Sequence, residues 1–531
     1  MLRFYFAASR NLQERKDVFP YQRRATSKQN RAFPTRDTIY TMSIKIYNTL
    51  SRKKEVFSPL EPNHVKMYVC GITSYDYCHI GHARSALVFD MIVEYFRFRG
   101  YRVTYIRNFT DIDDKIINRA AEQNTTPEEL AQRFIDEFYV DMDKLGIGRP
   151  TLEPKATENI DEMTAFITDL IDKRMAYQSG TDVYYAVDSF EDYGKLSGRK
   201  LEDMQAGARI SVNEQKTNPY DFVLWKGSKP GEPQWESPWG PGRPGWHIEC
   251  SAMSKKFLGE TFDIHGGGQD LIFPHHENEL AQSEGGNDRP FVTTWIHHGF
   301  VTIKDEKMSK SLGNFLTIRD ITDKYHPEEL RFFVFSTHYR NPLDFSESAM
   351  QDAISGLNRL YQCMADIDAL DNGDLEASSI VSAKDRKKLD DVEARFVQAM
   401  DNDFNTAQAQ GVLFDTVKVL NKIRRQLAAA PSAEDIALLR ESTATLKKLA
   451  AIMGLLKEDA ASYLAQKRHS LLAGLDIDEN TITRLIEERY AARAAKDWEK
   501  SDQIRDQLLE KNIELKDNAD GTTWTVKRSH Q

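Results

Sequence analysis

The chain has 531 residues, which is enough for two to four domains that each bury a core of their own. No apolar run approaches the ~20 residues that a membrane-spanning helix needs. Four cysteines are too few and too scattered for the disulfide framework of a secreted protein, which favours a reducing compartment. The formal charge of −10 does not indicate a nucleic-acid-binding protein, although a local basic groove can bind phosphates on an acidic chain.

Residues 1–41 form a basic, acid-poor N-terminal segment. Such composition is typical of an organelle transit peptide, but Glu14 and Asp17 interrupt the basic face. A coherent strand pattern begins directly after Met42. We therefore expect a disordered extension or an upstream start codon ahead of Met42, with organelle import as the alternative.

A strand, a helix and a second strand are predicted between residues 66 and 107. Residues 66–70 are typical of a short buried strand, and residues 101–107 of another. Between them, apolar residues recur at spacings of three and four over residues 79–99, which indicates a helix. This order is the βαβ unit of a parallel sheet, whose carboxyl edge binds ligands in α/β folds.

The rest of the chain divides by composition. Two helical stretches and a Gly/Pro/Trp-rich segment at about 149–245 predict an insertion into the nucleotide-binding fold. The predicted fold class is α/β, with a Rossmann-type nucleotide-binding catalytic domain at 42–345 that contains this insertion. A helical bundle at 346–457 and a small C-terminal α/β unit at 476–531 follow it.

Four residues far apart in the chain look like the ligands of one zinc ion, namely Cys70, Cys250, His275 and Glu279. On a helix, His275 and Glu279 project from one face, whereas His276 points about 100° away from His275. Two thiolates favour zinc over magnesium or calcium. Taken singly, a buried cysteine is more often a small core residue, and a polar pair on a helix is more often a solvated face.

The segment H-I-G-H opens a helix directly after a strand, where backbone N–H groups and the helix dipole favour phosphate. Gly81 permits close approach of the backbone, and the imidazoles of His79 and His82 can donate hydrogen bonds to phosphate oxygens. The segment K-M-S-K-S supplies Lys307 and Lys310 on a loop suited to closing over a triphosphate. A solvated basic loop is the alternative interpretation.

A run of three glycines precedes a carboxylate in the second half of the fold. Gly267 and Gly268 could let a nucleotide lie against bare backbone, while Asp270 takes the ribose hydroxyls.

Four motifs follow one another along the chain: H-I-G-H at 79–82, W-H-I-E-C-S-A-M at 246–253, F-P-H-H-E-N-E at 273–279 and K-M-S-K-S at 307–311. In this combination the chain resembles the bacterial-type cysteinyl-tRNA synthetases, a family of class I aminoacyl-tRNA synthetases. The resemblance runs from about Met42 to Trp524, and residues 1–41 have no counterpart in it.

The resemblance implies an enzyme that joins L-cysteine to the cysteine tRNA through a cysteinyl adenylate. We expect it in the cytoplasm, and as a monomer because the sequence shows no coiled-coil seam or edge strand that invites pairing. The resemblance also implies ATP with Mg²⁺ as substrate and one zinc ion per chain. By resemblance, the zinc ligands are Cys70, Cys250, His275 and Glu279, the catalytic residues are His79, His82, Lys307 and Lys310, and the substrate contacts are Gly71, Thr73 and Trp246.

A zinc ion would explain how cysteine is selected over serine. Pocket shape separates near-isosteres by only roughly 1–3 kcal/mol, whereas zinc binds thiolate far better than hydroxyl. The substrate sulfur could enter as a fifth ligand or loosen Glu279, and the sequence leaves both open.

Two alternatives share part of these motifs. A cysteine ligase of the mycothiol type uses the same core with an amino-sugar acceptor, but it lacks the long tail that follows Ser311 here. A non-catalytic RNA-binding paralogue would be expected to lose signature histidines or lysines, and none is missing.

We expect the tail to recognise tRNA, with the bundle at the bend of the tRNA and the terminal unit at the anticodon. Trp524 offers a stacking surface, although it could equally form the core of a small domain. One predicted helix carries a basic array that could face phosphates or simply be solvated: Arg484, Arg489, Arg493, Lys496 and Lys500.

Overall fold

The computed structural model describes residues 43–199, 215–303, 306–307, 316–371, 378–427, 432–473, 475–518 and 521–526. The N-terminal extension and Lys310 lie outside these ranges. No helix in the described ranges is long and apolar enough to cross a membrane.

The first half of the nucleotide-binding domain alternates strands with helices. Its strands are β1 (Lys45–Asn48), β2 (Lys53–Val56), β3 (His64–Thr73) and β4 (Arg102–Thr110). Its helices are α1 (Ile80–Phe98), α2 (Asp114–Glu122) and α3 (Pro127–Lys144), and α4 (Ile160–Asp172) follows in the insertion. The predicted βαβ unit is therefore present as β3, α1 and β4, with both strands longer than predicted.

The insertion contains an antiparallel sheet. Its strands run in the order β5 (Ala176–Ser179), β6 (Asp182–Tyr185), β7 (Phe222–Gly227) and β8 (Gly242–Pro244). In the described part of residues 149–245, one α-helix, α4, stands where the sequence predicts two helical stretches. The tyrosines and valine of β6 are residue types that favour strands.

The second half returns to the central sheet. Its elements are α5 (Trp246–Leu258), β9 (Phe262–Gly268), α6 (Glu277–Asn287), β10 (Val292–His298), β11 (Val301–Ile303), β12 (Glu306–Lys307), α7 (Ile318–Thr322), α8 (Pro327–Phe335) and β13 (Leu343–Asp344). Strand β11 pairs with β12 and β13 in a separate small sheet.

The central sheet has the order β10-β9-β3-β4, and all of its pairs are parallel. Parallel strands are covered on both faces, which explains why every residue of β9 is buried. Helix α1 covers one face with fully buried Leu87, Met91 and Tyr95. Because the strands are parallel, the carboxyl ends of β3, β4, β9 and β10 meet at one edge of the sheet.

A helical bundle follows. Its helices are α9 (Glu347–Asp368), α10 (Ala383–Asp390), α11 (Val392–Met400), α12 (Thr406–Leu427), α13 (Ala433–Ala450) and α14 (Ala460–Leu472). Asn405 caps α12, as its side chain accepts a hydrogen bond from the Gln408 amide at 3.0 Å. The bundle extends beyond its predicted end at residue 457, because Tyr463 of α14 stacks on Tyr361 of α9 with ring centroids 3.9 Å apart.

The C-terminal unit consists of α15 (Glu479–Ala494), α16 (Trp498–Glu510) and a hairpin of β14 (Ile513–Asn518) and β15 (Gly521–Val526). It has a small core of its own, which includes Ile482, Leu485, Ile504, Leu508 and Ile513. Trp524 is half-buried against this core, as the small-domain alternative predicts.

The prediction of one basic helix in this unit is wrong. The chain breaks between α15 and α16, where Lys496 takes a φ of 61°. The guanidinium groups of Arg489 and Arg493 each lie 2.8 Å from the Asp517 carboxylate, which joins α15 to β14. Two of the five basic residues therefore hold the unit together.

Candidate active site and metal centre

The four predicted metal ligands converge at the carboxyl edge of the central sheet. Cys70 comes from β3, Cys250 from α5, His275 from the turn before α6, and Glu279 from α6. One ligand atom from each residue lies within 4.8 Å of the others. The Cys70 and Cys250 sulfurs are 3.6 Å apart, and His275 Nε2 lies 2.8 Å from Glu279 Oε1.

A second group of four donors overlaps with the first. It combines Cys70 and Glu279 with His265 and His276, again within 4.8 Å. The prediction that His276 points away is wrong, because its Nε2 lies 3.3 Å from Cys70 Sγ. Residues three apart on a helix share a face as residues four apart do, and His276 Nε2 accordingly lies 3.9 Å from Glu279 Oε1.

Several histidines that sequence reasoning missed surround the ligands. His247 Nδ1 lies 2.9 Å from His275 Nδ1, and His265 Nε2 lies 2.7 Å from Glu279 Oε2. Behind them, His276 Nδ1 lies 2.7 Å from His297 Nε2. Such partners orient the ligand side chains. Their position in the sequence could have indicated this role for two of them. His265 and His297 lie on β9 and β10, whose carboxyl ends meet at the site.

The electrostatics of the cluster favour a cation. Burial alone would raise the pKa of Glu279, but His265 and His275 outweigh it and hold the pKa well below the usual range. Burial and the neighbouring Cys250 raise the pKa of the Cys70 thiol. Burial would raise the pKa of Cys250 as well, but the hydrogen bond from Cys70 and the proximity of His275 outweigh it and lower that pKa to about 6. A divalent cation would favour both thiolates, so this donor set fits a thiophilic metal.

A cavity of about 440 Å³ lies beside the metal ligands. Most of the predicted site residues line it, namely Cys70, Gly71, Thr73, His79, Gly81, His82, Trp246, Gly268 and Asp270. Cys78 lines it as well but belongs to neither donor group in the described part of the chain. Lys307 lies in β12, and Lys310 is outside the described residues.

The two histidines of H-I-G-H form a capping box at the start of α1. His79 Nδ1 accepts a hydrogen bond from the Gly81 amide at 3.0 Å, and His82 Nδ1 accepts one from the His79 amide at 3.2 Å. The neutral tautomers that these bonds require carry the hydrogen on Nε2. Each ring can therefore act as a donor through Nε2. A Cβ at Gly81 would lie 2.7 Å from His79 Cε1, so the glycine makes room for this ring.

Gly267 and Gly268 of the glycine run have different surroundings. Gly268 lines the cavity next to Asp270. Gly267 is not among the lining residues; a Cβ there would lie 2.7 Å from His276 Cε1. Gly267 thus makes room for a histidine of the metal cluster.

Trp246 connects the metal cluster with the cavity. Its ring stacks on His275 with centroids 4.1 Å apart. The residue remains 39% exposed. An aromatic surface therefore lies next to the predicted amino-acid pocket.

Comparison with known proteins places this geometry in a family. Residues 56–355 match the family model of the class I (C) tRNA synthetase catalytic domain, and residues 395–457 match the DALR domain. The chain is 66% identical to the cysteine–tRNA ligase of Desulfotalea psychrophila and 54% identical to that of Geotalea daltonii. Each match covers 92% of this chain and 100% of the relative.

Solved structures agree on the fold. Methionyl-tRNA synthetase of Mycobacterium tuberculosis, in complex with methionyl-adenylate, aligns with a TM-score of 0.57 at 16% identity. The alignment covers 77% of this chain and 94% of that one. The predicted Rossmann-type fold with a helical C-terminal region is confirmed.

Proposed function

The chain belongs to the cysteine–tRNA ligase family of class I tRNA synthetases, and we propose that it selects cysteine with a zinc ion held by Cys70, Cys250, His275 and Glu279. As a member of this family it charges tRNA with cysteine at the expense of ATP. The observation that carries the zinc assignment is the convergence of two thiols, an imidazole and a buried carboxylate next to the H-I-G-H cavity.

The first step joins the cysteine carboxylate to the α-phosphorus of ATP and releases pyrophosphate. His79 and His82 present Nε2 donors at the start of α1, where the helix N-terminus also favours phosphate. These groups stabilise negative charge on the phosphates as it develops. Catalysis therefore depends on position and charge and not on a covalent enzyme intermediate.

When bound, zinc supplies a Lewis acid that prefers thiolate over hydroxyl. His247 and His265 orient its proposed ligands His275 and Glu279 through hydrogen bonds of 2.9 Å and 2.7 Å. Trp246 forms the adjoining wall. Selection of cysteine then rests on this donor set, and an editing site becomes unnecessary.

In the second step the terminal ribose of the tRNA attacks the adenylate carbonyl, with the 2′-hydroxyl as the first acceptor in a class I enzyme. The new ester bond forms as the bond between the carbonyl carbon and the AMP oxygen breaks. AMP leaves with the electron pair, and the hydroxyl proton passes to AMP or solvent.

The two alternatives are not favoured. An amino-sugar acceptor would leave the helical bundle and the C-terminal unit without a role. A non-catalytic paralogue would not be expected to keep His79 and His82 in hydrogen-bonded positions on the cavity wall.

Metal analysis of two matched variants tests the ligand set. Cys250→Ser should lose zinc, whereas Cys78→Ser should retain one zinc per chain, because Cys78 belongs to neither donor group in the described residues. Both cysteines are buried, so the pair controls for the loss of a buried thiol. Zinc loss in Cys78→Ser with retention in Cys250→Ser would overturn the assignment.

We also propose a cytoplasmic monomer. All four cysteines are free thiols, which suits a reducing compartment. Light scattering of the purified protein should give the mass of one chain, and a concentration-independent dimer would contradict this.

A further inference from the structure

Tyr339, Arg340 and Asn341 form a linking segment between α8 and β13. All three of their carbonyls accept hydrogen bonds from side chains beside the H-I-G-H cavity. Arg84 Nη2 donates to the carbonyls of Tyr339 and Asn341, at 2.9 Å and 2.5 Å. Gln269 Nε2 donates to the Arg340 carbonyl at 3.2 Å. The main chain of the linking segment is therefore attached to the wall of the cavity.

The two donors belong to elements that form the cavity. Arg84 lies near the start of α1, which carries H-I-G-H; it is fully buried and also donates to the carbonyl of the cavity residue Phe300 at 2.6 Å. Gln269 stands between Gly268 and Asp270, which both line the cavity. The linking segment thus joins the start of α1 to the turn that carries Asp270, and a shift of its carbonyls would move these two walls relative to each other.

Two side chains of the linking segment are held from the helical bundle. Asp403, in the loop between α11 and α12, is fully buried. Its Oδ1 accepts a hydrogen bond from the Tyr339 hydroxyl at 2.8 Å, and its Oδ2 accepts one from Arg340 Nε at 2.9 Å. Oδ1 also accepts from the Tyr47 amide at 2.9 Å. One carboxylate of the bundle therefore fixes the segment whose carbonyls fix the cavity wall.

The backbone at this contact has an uncommon conformation. Asp403 has a φ of 67° and Phe404 a φ of 51°, in the left-handed region that residues other than glycine seldom adopt. Phe404 is fully buried, and the Asp403 amide donates to the Lys45 carbonyl at 2.8 Å. Such conformations cost free energy, persist only where the surroundings fix them, and concentrate at functional sites. Here the conformation occurs where the bundle contacts the linking segment.

We propose that Asp403 is a positioning residue for ATP, although it belongs to the helical bundle. It acts through Tyr339 and Arg340, which hold the wall of the H-I-G-H cavity, and not by contact with the substrate. The inference rests on the proposed function, because that function assigns ATP to this cavity. Cysteine is bound by residues on β3, α5 and around the start of α6. A change at Asp403 should therefore weaken the binding of ATP and leave the binding of cysteine as it is.

Two variants break the contact from its two sides. Asp403→Asn removes the charge, and Arg340→Met removes the donor while it keeps an unbranched side chain. Cysteine-dependent pyrophosphate exchange, measured without tRNA at varied ATP and varied cysteine, gives a KM for each substrate and kcat.

Asp401→Asn is the matched control. Asp401 is a buried carboxylate of the same loop, but its partners are the Tyr95 hydroxyl, at 2.6 Å, and Arg99. Arg99 lies at the far end of α1, about 22 Å along the helix from Arg84. The control therefore removes a comparable contact between the bundle and the nucleotide-binding domain at a distance from the cavity.

We expect Asp403→Asn and Arg340→Met each to raise the KM for ATP roughly twofold to thirtyfold, with the KM for cysteine unchanged. The double variant should show no more than the larger single effect, because both substitutions remove the same contact. Asp401→Asn should leave both KM values unchanged. A purely structural role of Asp403 would reduce the amount of active protein, and with it the apparent kcat, but neither KM.

An unchanged KM for ATP in Asp403→Asn and Arg340→Met would overturn the proposal. An equal rise in Asp401→Asn, a parallel rise in the KM for cysteine, or full addition of the two effects in the double variant would overturn it as well. If Asp403→Asn does not fold, Arg340→Met decides alone, since Arg340 is only partly buried. Absence of cysteine-dependent exchange in the unaltered protein would instead overturn the proposed function.

Discussion

Gly71 lies in strand β3, at an irregularity in its pairing with strand β4. Its amide donates a hydrogen bond to Asn108 Oδ1 at 2.9 Å, and a Cβ would lie 1.5 Å from the Asn108 carbonyl oxygen. The backbone has to move if any side chain is added. Gly71→Ala should therefore lower the free energy of unfolding by about 1–3 kcal/mol or more, as measured by denaturant titration.

Gly411 is the matched control for this substitution. It lies within α12, is exposed, and a Cβ there would meet nothing within 4 Å. Gly411→Ala should raise the free energy of unfolding by roughly 0.5–1 kcal/mol, because alanine favours the helix interior. Equal stability of the two variants would contradict the close approach at Gly71.

His298 gives the folded protein a pH dependence. Burial and the nearby Arg84 lower the pKa of His298 from 6.5 to about 4, and its Nδ1 donates to the Gly299 carbonyl at 2.9 Å. Below pH 6.5 the unfolded chain binds a proton here that the folded protein does not bind until about pH 4. This residue should therefore reduce the free energy of unfolding as the pH falls through that window, and then add no further loss.

The slope of stability against pH measures this contribution. Between about pH 4 and pH 6.5, His298→Asn should lose stability less steeply than the unaltered protein. His469→Asn, at an exposed position of α14, should keep the original slope. If His298→Asn keeps the full slope, the imidazole is not held neutral by the fold.

The chemical types of the residues predicted the metal site better than the side-chain directions inferred from helical spacing. The thiols, imidazole and carboxylate could be chosen from the chemistry of zinc, and the structure brings them together. The direction of His276 was misjudged, because residues three apart on a helix, such as His276 and Glu279, also share a face. The contact between Gly267 and His276 could not be predicted from spacing, because the two residues belong to different elements.

At the scale of elements, Arg331 joins α8 to the loop after α3. Its guanidinium donates to the carbonyls of Leu145 and Gly146, both at 2.8 Å, and pairs with Asp90 on α1 at 3.1 Å. Only 1% of Arg331 is exposed. Arg331→Met removes one partner of a buried ion pair, and we expect a loss of about 3–5 kcal/mol in the free energy of unfolding.

An exposed arginine serves as the comparison. Arg386 on α10 pairs with Glu434 at 2.6 Å, and both side chains are solvent-accessible. Arg386→Met should change stability by about 0–1 kcal/mol. A small effect at both positions would mean that the Arg331 contacts contribute no more than a surface ion pair.

The spacing of apolar residues predicted the central strands and helix, but it missed the break between the two helices of the C-terminal unit. The helix and strands around H-I-G-H have long apolar patterns set by burial on both faces. Most residues of α15 and α16 are polar, and the few buried ones recur at helical spacing within each helix, so the pattern did not reveal the break at Lys496. The ion pairs from Arg489 and Arg493 to Asp517 depend on a distant strand and could not be predicted from spacing.

At the scale of the whole molecule, the end of the helical bundle decides where the tail can be removed. Helix α14 belongs to the bundle, because Lys467 forms an ion pair with the buried Glu329 and Tyr463 stacks on Tyr361. A chain cut at the predicted boundary of 457 would leave Glu329 without this partner. The terminal unit beyond α14 has a core distinct from that of the bundle, although Leu472 at the end of α14 contributes to it.

A protein that ends at residue 473 should therefore stay folded and retain pyrophosphate exchange, while its charging of tRNA falls and its requirement for tRNA rises. A protein that ends at residue 457 should unfold at a lower temperature, since it loses the contacts of α14. Thermal unfolding and charging assays compare the two. Full charging by the longer protein would show that the terminal unit does not read the tRNA.

We propose above all that a metal in the Cys70 cluster selects cysteine. Pyrophosphate exchange with cysteine and with serine, before and after removal of the metal by a chelator, tests it most directly. We expect exchange with cysteine to far exceed that with serine, to fall when the metal is removed and to return when zinc is added. Exchange that favours cysteine equally well without metal would contradict the account.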